Sequence, residues 1–85
     1  MKIHKYTAND QHPVRIVKMP TSAKIICAKL IRKSIVFWAE VDSLEPTVSR
    51  YFEVVGTGRT VPENSQYRET FFDGPYVWHL YEIIK

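Results

Sequence analysis

The chain has little of what stabilises or targets proteins outside the cytoplasm. Its single cysteine, Cys27, cannot form an internal disulfide. The first six residues alternate in polarity and lack the apolar segment of a secretory signal peptide. The longest apolar runs, at residues 25–28 and 35–39, are far too short to span a bilayer. We therefore expect a disulfide-free cytoplasmic domain without a membrane anchor.

Motifs typical of catalysis or metal binding are also missing. The three histidines (His4, His12 and His79) and Cys27 do not show the short ligand spacing of a zinc module. No local signature marks an activated serine or cysteine, and we expect Cys27 to be an inert buried thiol. Residues 56–59 (Gly-Thr-Gly-Arg) suggest a phosphate-binding loop, but no helix follows, so we interpret them as a structural turn. The sequence predicts no enzyme, catalytic residue, metal site or cofactor.

The composition and periodicity predict one all-β domain over residues 1–85. The 85 residues include eleven aromatics, which favour strands, and no segment has a clear helical period. The segments that read as strands are residues 2–8, 14–19, 24–31, 34–42, 49–55, 66–72 and 76–84. Such regular short strands indicate a small antiparallel sandwich or a strongly bent barrel of six to seven strands.

Turn residues suggest how these strands pair. The Asn-Asp-rich stretch at residues 8–13 predicts a hairpin of the first two strands. Residues 24–31 and 34–42 form the strongest predicted pair, with Ile26 on one face and Ile25 and Cys27 on the other. The last two strands are predicted to form a hairpin, and residue 62, a proline, is a candidate start for one helical turn.

Several strands are apolar on both faces. Residues 34–41 present Phe37 on one face and Trp38 on the other, and residues 76–84 present Trp78 opposite Val77. We expect His79, between Trp78 and Leu80, to pack against aromatic rings. An antiparallel sheet with one solvated face shows a cleaner alternation of polarity. The second face must therefore be covered by a second sheet, a long loop or another copy of the chain, and we expect a twofold homodimer to be the commonest way.

The two halves of the chain carry opposite charge. Residues 1–33 contain eight Lys or Arg and one acid, a net +7, whereas residues 34–85 contain four basic residues and eight acids, a net −4. A basic half can meet an acidic partner, or the two halves can neutralise each other within one fold. The basic residues lie among aromatics, which leaves binding of single-stranded nucleic acid as an alternative, although runs of Lys and Arg are absent.

Five stretches in a fixed order give the chain a resemblance. They are residues 1–6 (MKIHKY), 17–20 with 23–25 (VKMP and AKI), 37–42 (FWAEVD), 52–58 with 61–62 (FEVVGTG and VP) and 77–82 (VWHLYE). Together they resemble a family of short bacteriophage and prophage proteins known as a domain of unknown function. Members often have His after Gly-Thr-Gly, where this chain has Arg59, and Gly in the central hairpin turn, where it has Arg32-Lys33. The resemblance implies a phage or prophage setting within a host cell and implies no chemistry.

These observations favour a non-enzymatic interaction module. We expect a phage or prophage accessory protein that binds a host or phage protein, with apolar anchors and a charged rim that steers the encounter. The alternative is a small basic β-barrel that binds nucleic acid. The candidate partner-binding residues are Trp38, Trp78, Lys2, Arg15, Lys18 and Arg59.

Overall fold

A computed structural model describes residues 1–8, 14–32 and 34–84, and it is built of seven β-strands. The strands are β1 (Lys2–Ala8), β2 (Val14–Pro20), β3 (Lys24–Ile31), β4 (Ser34–Val41), β5 (Thr47–Gly56), β6 (Ser65–Asp73) and β7 (Tyr76–Ile83). They form two antiparallel sheets, ordered β1-β4-β3 and β2-β5-β7-β6, and the described ranges contain no helix. The all-β prediction is confirmed, and of its two architectures the sandwich is the one adopted.

Two of the predicted hairpins are confirmed and one is wrong. β3 pairs with β4, and β6 pairs with β7, as expected. The first two strands do not form a hairpin, because β1 pairs with β4 in the three-stranded sheet and β2 pairs with β5 in the four-stranded sheet. The turn predicted between them falls mostly on residues 9–13, outside the described ranges. A β1-β2 hairpin would have left β4 and β5, two strands with fully buried side chains, at sheet edges.

The core lies between the two sheets. β4 contributes Ile35, Phe37 and Val41, and the four-stranded sheet contributes Phe52 and Leu80, all with no solvent exposure. The rings of Phe37 and Phe52 meet across the sandwich with centroids 4.8 Å apart and an interplanar angle of 49°. Because aromatic side chains bury large areas, this contact stabilises the packing of one sheet on the other.

A β-bulge in β3 changes the predicted faces of that strand. The register with β4 shifts between Ile25 and Cys27, so one extra residue stands on the β3 side. Ile25 therefore packs against the core, Ile26 is exposed, and Cys27 lies on the outer face. The prediction that Ile25 and Cys27 share a face is wrong, and Cys27 is half-buried rather than buried.

The loops after β5 are turns without helical character. Residues 56–59 close with the Arg59 amide donating to the Gly56 carbonyl at 3.0 Å, and Gly58 has φ +90°. A positive φ at the third residue is the requirement of a type II turn, so Gly58 has the structural role expected of it. The helical turn predicted from Pro62 is absent. Asn64 adopts a φ of 53°, and the Ser65 hydroxyl donates a hydrogen bond to the Pro62 carbonyl at 2.6 Å.

Candidate functional site

The outer face of the three-stranded sheet has a tryptophan on its central strand. Trp38 of β4 lies directly across from Lys5 of β1 and from Cys27 of β3. Because side chains alternate along a strand, the residues that share this side follow from the pairing register. We call this surface the Trp38 face; it comprises Ile3, Lys5, Thr7, Lys24, Cys27, Lys29, Ile31, Ser34, Val36, Trp38 and Glu40.

The centre of the Trp38 face is apolar, and its margin is exposed. Val36 is 5% exposed although it points away from the core, and Trp38 is half-buried. The register neighbours of Val36 are Thr7 and Lys29, and a lysine stem can shield apolar surface while its ammonium stays in water. Ile3 adds an aliphatic side chain that is 63% exposed. The arrangement is an apolar centre within a polar rim, the anatomy of a protein-binding patch.

This surface is also cationic. Lys5, Lys24 and Lys29 point outward and are exposed, against one outward acid, Glu40. Counted over whole strands, the three-stranded sheet has four lysines and one glutamate, whereas the four-stranded sheet has four basic and four acidic residues. The charge difference between the halves of the sequence thus becomes a difference between the two sheets, because β1 and β3 both flank β4.

The candidate residues selected from the sequence do not form one surface. Trp38 lies on the Trp38 face, whereas Trp78 points inward, packs against the core and stacks on Tyr76 with centroids 6.1 Å apart. Lys18 points outward from the opposite sheet, and Arg15, opposite Phe52, is on the inward side of β2. Lys2 and Arg59 lie elsewhere again, Lys2 in the first position of β1 and Arg59 in the turn after β5.

Three functional candidates were missed by the sequence-based selection, namely Lys5, Lys24 and Lys29. For Lys29 the signal was the predicted pairing of β3 with β4, whose register sets Lys29 across from Val36 and so on the same side as Trp38. The wrong β1-β2 hairpin separated Lys5 from Trp38, and the bulge in β3 hid the side on which Lys24 lies. Pairing between distant strands therefore decided which charges surround the tryptophan.

The outer face of the four-stranded sheet has a different character. It is rich in tyrosine and aliphatic residues and has two charged side chains among its described members. We call it the tyrosine face; it comprises Val14, Ile16, Lys18, Ser49, Tyr51, Glu53, Val55, Ser65, Tyr67, Thr70, Phe72, Val77, His79, Tyr81 and Ile83. Tyr67 and Tyr81 form an edge-to-face pair with centroids 5.8 Å apart.

His79 belongs to the tyrosine face and is held by threonines. Its Nε2 lies 3.0 Å from the Thr57 hydroxyl, and its Nδ1 lies 3.2 Å from the Thr70 hydroxyl, which in turn meets the Tyr67 hydroxyl at 2.6 Å. The expectation that His79 packs against aromatic rings stays a prediction. Two threonine partners orient the ring, and neither is the carboxylate that activates a catalytic histidine.

A buried ion cluster links β5, β6 and β7 of the four-stranded sheet. The Glu82 carboxylate, 5% exposed, accepts two bonds from the Arg50 guanidinium at 2.6 and 2.7 Å, and two from Arg68 at 3.0 and 2.8 Å. Arg50 also donates to the Ala23 carbonyl next to β3, so the cluster joins both sheets. Burial raises the pKa of Glu82, but hydrogen bonds and charge from Arg50 and Arg68 outweigh burial and leave the pKa below its usual value.

An open groove of about 500 Å³ runs beside this cluster. It is lined by the two arginines, Glu82 and side chains such as Ser49 and Ile83. Both guanidinium groups already bind Glu82, and Arg50 donates a further N–H to the Ala23 carbonyl. The cluster is thus a structural tie between strands.

The described residues hold no group of three or more His, Cys, Asp or Glu side chains placed to bind a metal ion. A helix long and apolar enough to cross a membrane is likewise absent from the part of the chain that the structure describes.

Comparison with known proteins gives a family and no close relative. None of the curated proteins and none of the solved structures matches the chain. One family model, described as a domain of unknown function (DUF7352), matches residues 1–85, which is the full length of the sequence. The chain therefore belongs to the DUF7352 family.

Proposed function

We propose that the protein is a non-enzymatic interaction module whose Trp38 face binds an acidic surface of a partner protein. Its setting in this proposal is that of a phage or prophage accessory protein, which acts on a host or phage protein in the host cytoplasm. The observation that carries the proposal is the half-buried Trp38 on a central strand, with exposed lysines on both flanking strands.

The arrangement fits the energetics of a binding hot spot. Tryptophan is among the residue types most enriched at hot spots, which favour central positions that lose their water on binding and are surrounded by a rim. Lys5, Lys24 and Lys29 provide that rim, and a net positive face accelerates encounter with a negative partner. An acidic protein surface with an apolar recess is therefore the partner that this face fits best.

The sheet edges favour docking on a face over addition of a strand. Edge strands β3 and β6 both contain a bulge, between Ile25 and Cys27 and between Tyr67 and Glu69. Edge strand β1 contains two lysines, and β2 contains Lys18 and ends at Pro20. Bulges, lysines and prolines are the features by which proteins block strand addition at sheet edges.

Nucleic acid fits the same face less well. Single-strand platforms stack successive bases on several aromatic rings, whereas the Trp38 face has one ring. It has no arginine, the side chain best suited to phosphate, and Glu40 lies beside the tryptophan along β4. Protein binding is therefore the better match.

The test is capture from a nuclease-treated lysate of a bacterial host, using the wild-type chain and two lysine variants. We expect Lys29→Glu, on the Trp38 face, to lose the captured protein, and Lys2→Glu, a matched exposed control that belongs to neither of the two outer faces, to retain it. Trp38→Ala is expected to lose the protein as well, by about tenfold or more in affinity. Capture that depends on nucleic acid, or that is equally weakened by both lysine variants, would contradict the proposal.

A further inference from the structure

The tyrosine face leaves large apolar side chains in solvent. Ile16 is 58% exposed, Tyr67 52% and Phe72 80%, and they lie on the two edge strands of one sheet surface. The central strands add Tyr51 and Tyr81 between them. Several large apolar side chains exposed on one face of a sheet mark an interaction site more often than a solvated surface.

We infer that the tyrosine face is where a second copy of this chain binds, in a face-to-face twofold dimer. The charges on the two outer faces point to this occupant. The Trp38 face has three outward lysines and one glutamate, so two copies would repel each other there. The tyrosine face has Lys18 and Glu53, which balance, and no such repulsion opposes its self-association.

Twofold symmetry makes use of those two charges. In an isologous interface each contact between different residues occurs twice. If the twofold rotation brings Lys18 of one copy next to Glu53 of the other, it also brings Glu53 of the first next to Lys18 of the second, and two ion pairs form. The aromatic surface between them supplies the apolar part of the contact, and tyrosine is among the residues enriched in interface cores.

The size of the face indicates a dimer of modest affinity. Four strands about 4.8 Å apart, with outward residues about 6.8 Å apart along each strand, give a surface on the order of 500 Å². A standard interface buries about 800 Å² on each partner, so this contact belongs to the weaker class. We expect monomer and dimer to exchange and the dimer to dominate at high concentration.

The dimer would leave both Trp38 faces free, on opposite outer sides of the assembly, because the two faces lie on opposite sides of the sandwich. A protein so arranged binds two partner molecules, or two sites on one, with the gain in avidity that linkage provides. This consequence rests on the proposed function, whereas the dimer itself does not.

The test is sedimentation analysis of the full chain with a matched pair of variants. Ile16→Glu places a charge on the tyrosine face, and Ile3→Glu makes the same change on the Trp38 face at a residue of similar exposure, 63% against 58%. We expect Ile16→Glu to weaken dimerisation by about a hundredfold or more, since each copy then buries an unpaired charge in the apolar contact, and Ile3→Glu to dimerise as the wild type does. Tyr67→Glu on β6 is the second variant, and it should act as Ile16→Glu does if that variant proves unstable.

Three results would overturn the inference. A wild-type chain that stays monomeric at every concentration would assign the tyrosine face to another partner or to solvent. Equal weakening by Ile3→Glu and Ile16→Glu would indicate head-to-tail stacking of opposite faces. Dimerisation untouched by both Ile16→Glu and Tyr67→Glu would place the interface elsewhere. Each result is independent of whether the lysate capture succeeds.

Discussion

Replacing Glu82 by glutamine isolates the contribution of its charge to the stability of the sandwich. The carboxylate accepts four hydrogen bonds from two guanidinium groups, and Arg50 also reaches the carbonyl of Ala23. Glutamine keeps the shape and one acceptor oxygen, but it removes the negative charge that both arginines face. The variant therefore leaves two cations beside each other in a largely buried site.

The expected loss follows from burial. Removing one member of a buried ion pair costs about 3–5 kcal/mol, because the remaining charge stays desolvated. The side chains of Arg50 and Arg68 are 15% and 28% exposed, so water still solvates part of each guanidinium charge and reduces this cost. We expect Glu82→Gln to lower the free energy of unfolding by about 3 kcal/mol, and the melting temperature by roughly 15 °C for a domain of this size.

Urea denaturation followed by tryptophan fluorescence measures this loss. Glu53→Gln is the matched control, because Glu53 points outward from the same sheet, and it should change stability by about 0.5 kcal/mol or less. Arg68→Ala should cost less than Glu82→Gln, since it leaves Glu82 paired with Arg50. A Glu82→Gln loss below about 1 kcal/mol would refute the argument, since the arginines would then be adequately solvated without their partner.

The same residue predicts the response of stability to acid. The folded-state pKa of Glu82 lies below its ordinary value, so this carboxyl binds its proton less readily when folded. Its contribution is then fully present above the unfolded pKa and is lost as pH falls through the folded pKa. We expect wild-type stability to fall more steeply than that of Glu82→Gln in this acidic range, as urea midpoints at successive pH values will record.

Two further substitutions test packing and backbone. Trp78→Ala should lower the free energy of unfolding by about 3 kcal/mol in urea denaturation, since the indole packs on the core. Trp38→Ala, on the outer face, should cost clearly less. Equal losses would contradict the assignment of faces. Gly58→Ala should cost about 1 kcal/mol because of its φ of +90°, even though no atom lies within 4 Å of an added Cβ, and a neutral result would contradict the type II turn.

The local parts of the fold were predictable from sequence, and the distant pairings were not. All seven strands follow from alternation and turn residues, as does the inward side of β4, which bears Phe37. The partner of β1 does not follow from local signals, because it lies some thirty residues further along the chain, in β4. Reasoning from proximity along the chain predicted β2 as the partner of β1. In the structure β1 flanks β4 in one sheet and β2 flanks β5 in the other, so that neither β4 nor β5 is left at an edge.

The candidate site was accessible to sequence reasoning only in part. Trp38 could be selected because an aromatic beside Phe37 must point away from it in a strand. Its lysine neighbours depend on register, and the bulge after Ile25 moves Cys27 onto the outer face. Glu82 was not selected, since its arginine partners lie 32 and 14 residues away and nothing in the local sequence marks them.

Lys24 offers a final prediction, which separates charge used within the fold from charge available to a partner. Lys24 lies directly across from Glu40, whereas Lys29 lies across from Val36. Lys24→Glu puts two like charges opposite each other and should cost up to about 1 kcal/mol in urea denaturation, more at low salt than at high salt. Lys29→Glu has no acid across from it and should melt as the wild type does. If both variants lose stability equally, the positive charge of this sheet stabilises the fold. If neither variant loses stability, Lys24 and Lys29 are equally available to an acidic partner, and the two variants should then slow association with that partner to the same extent.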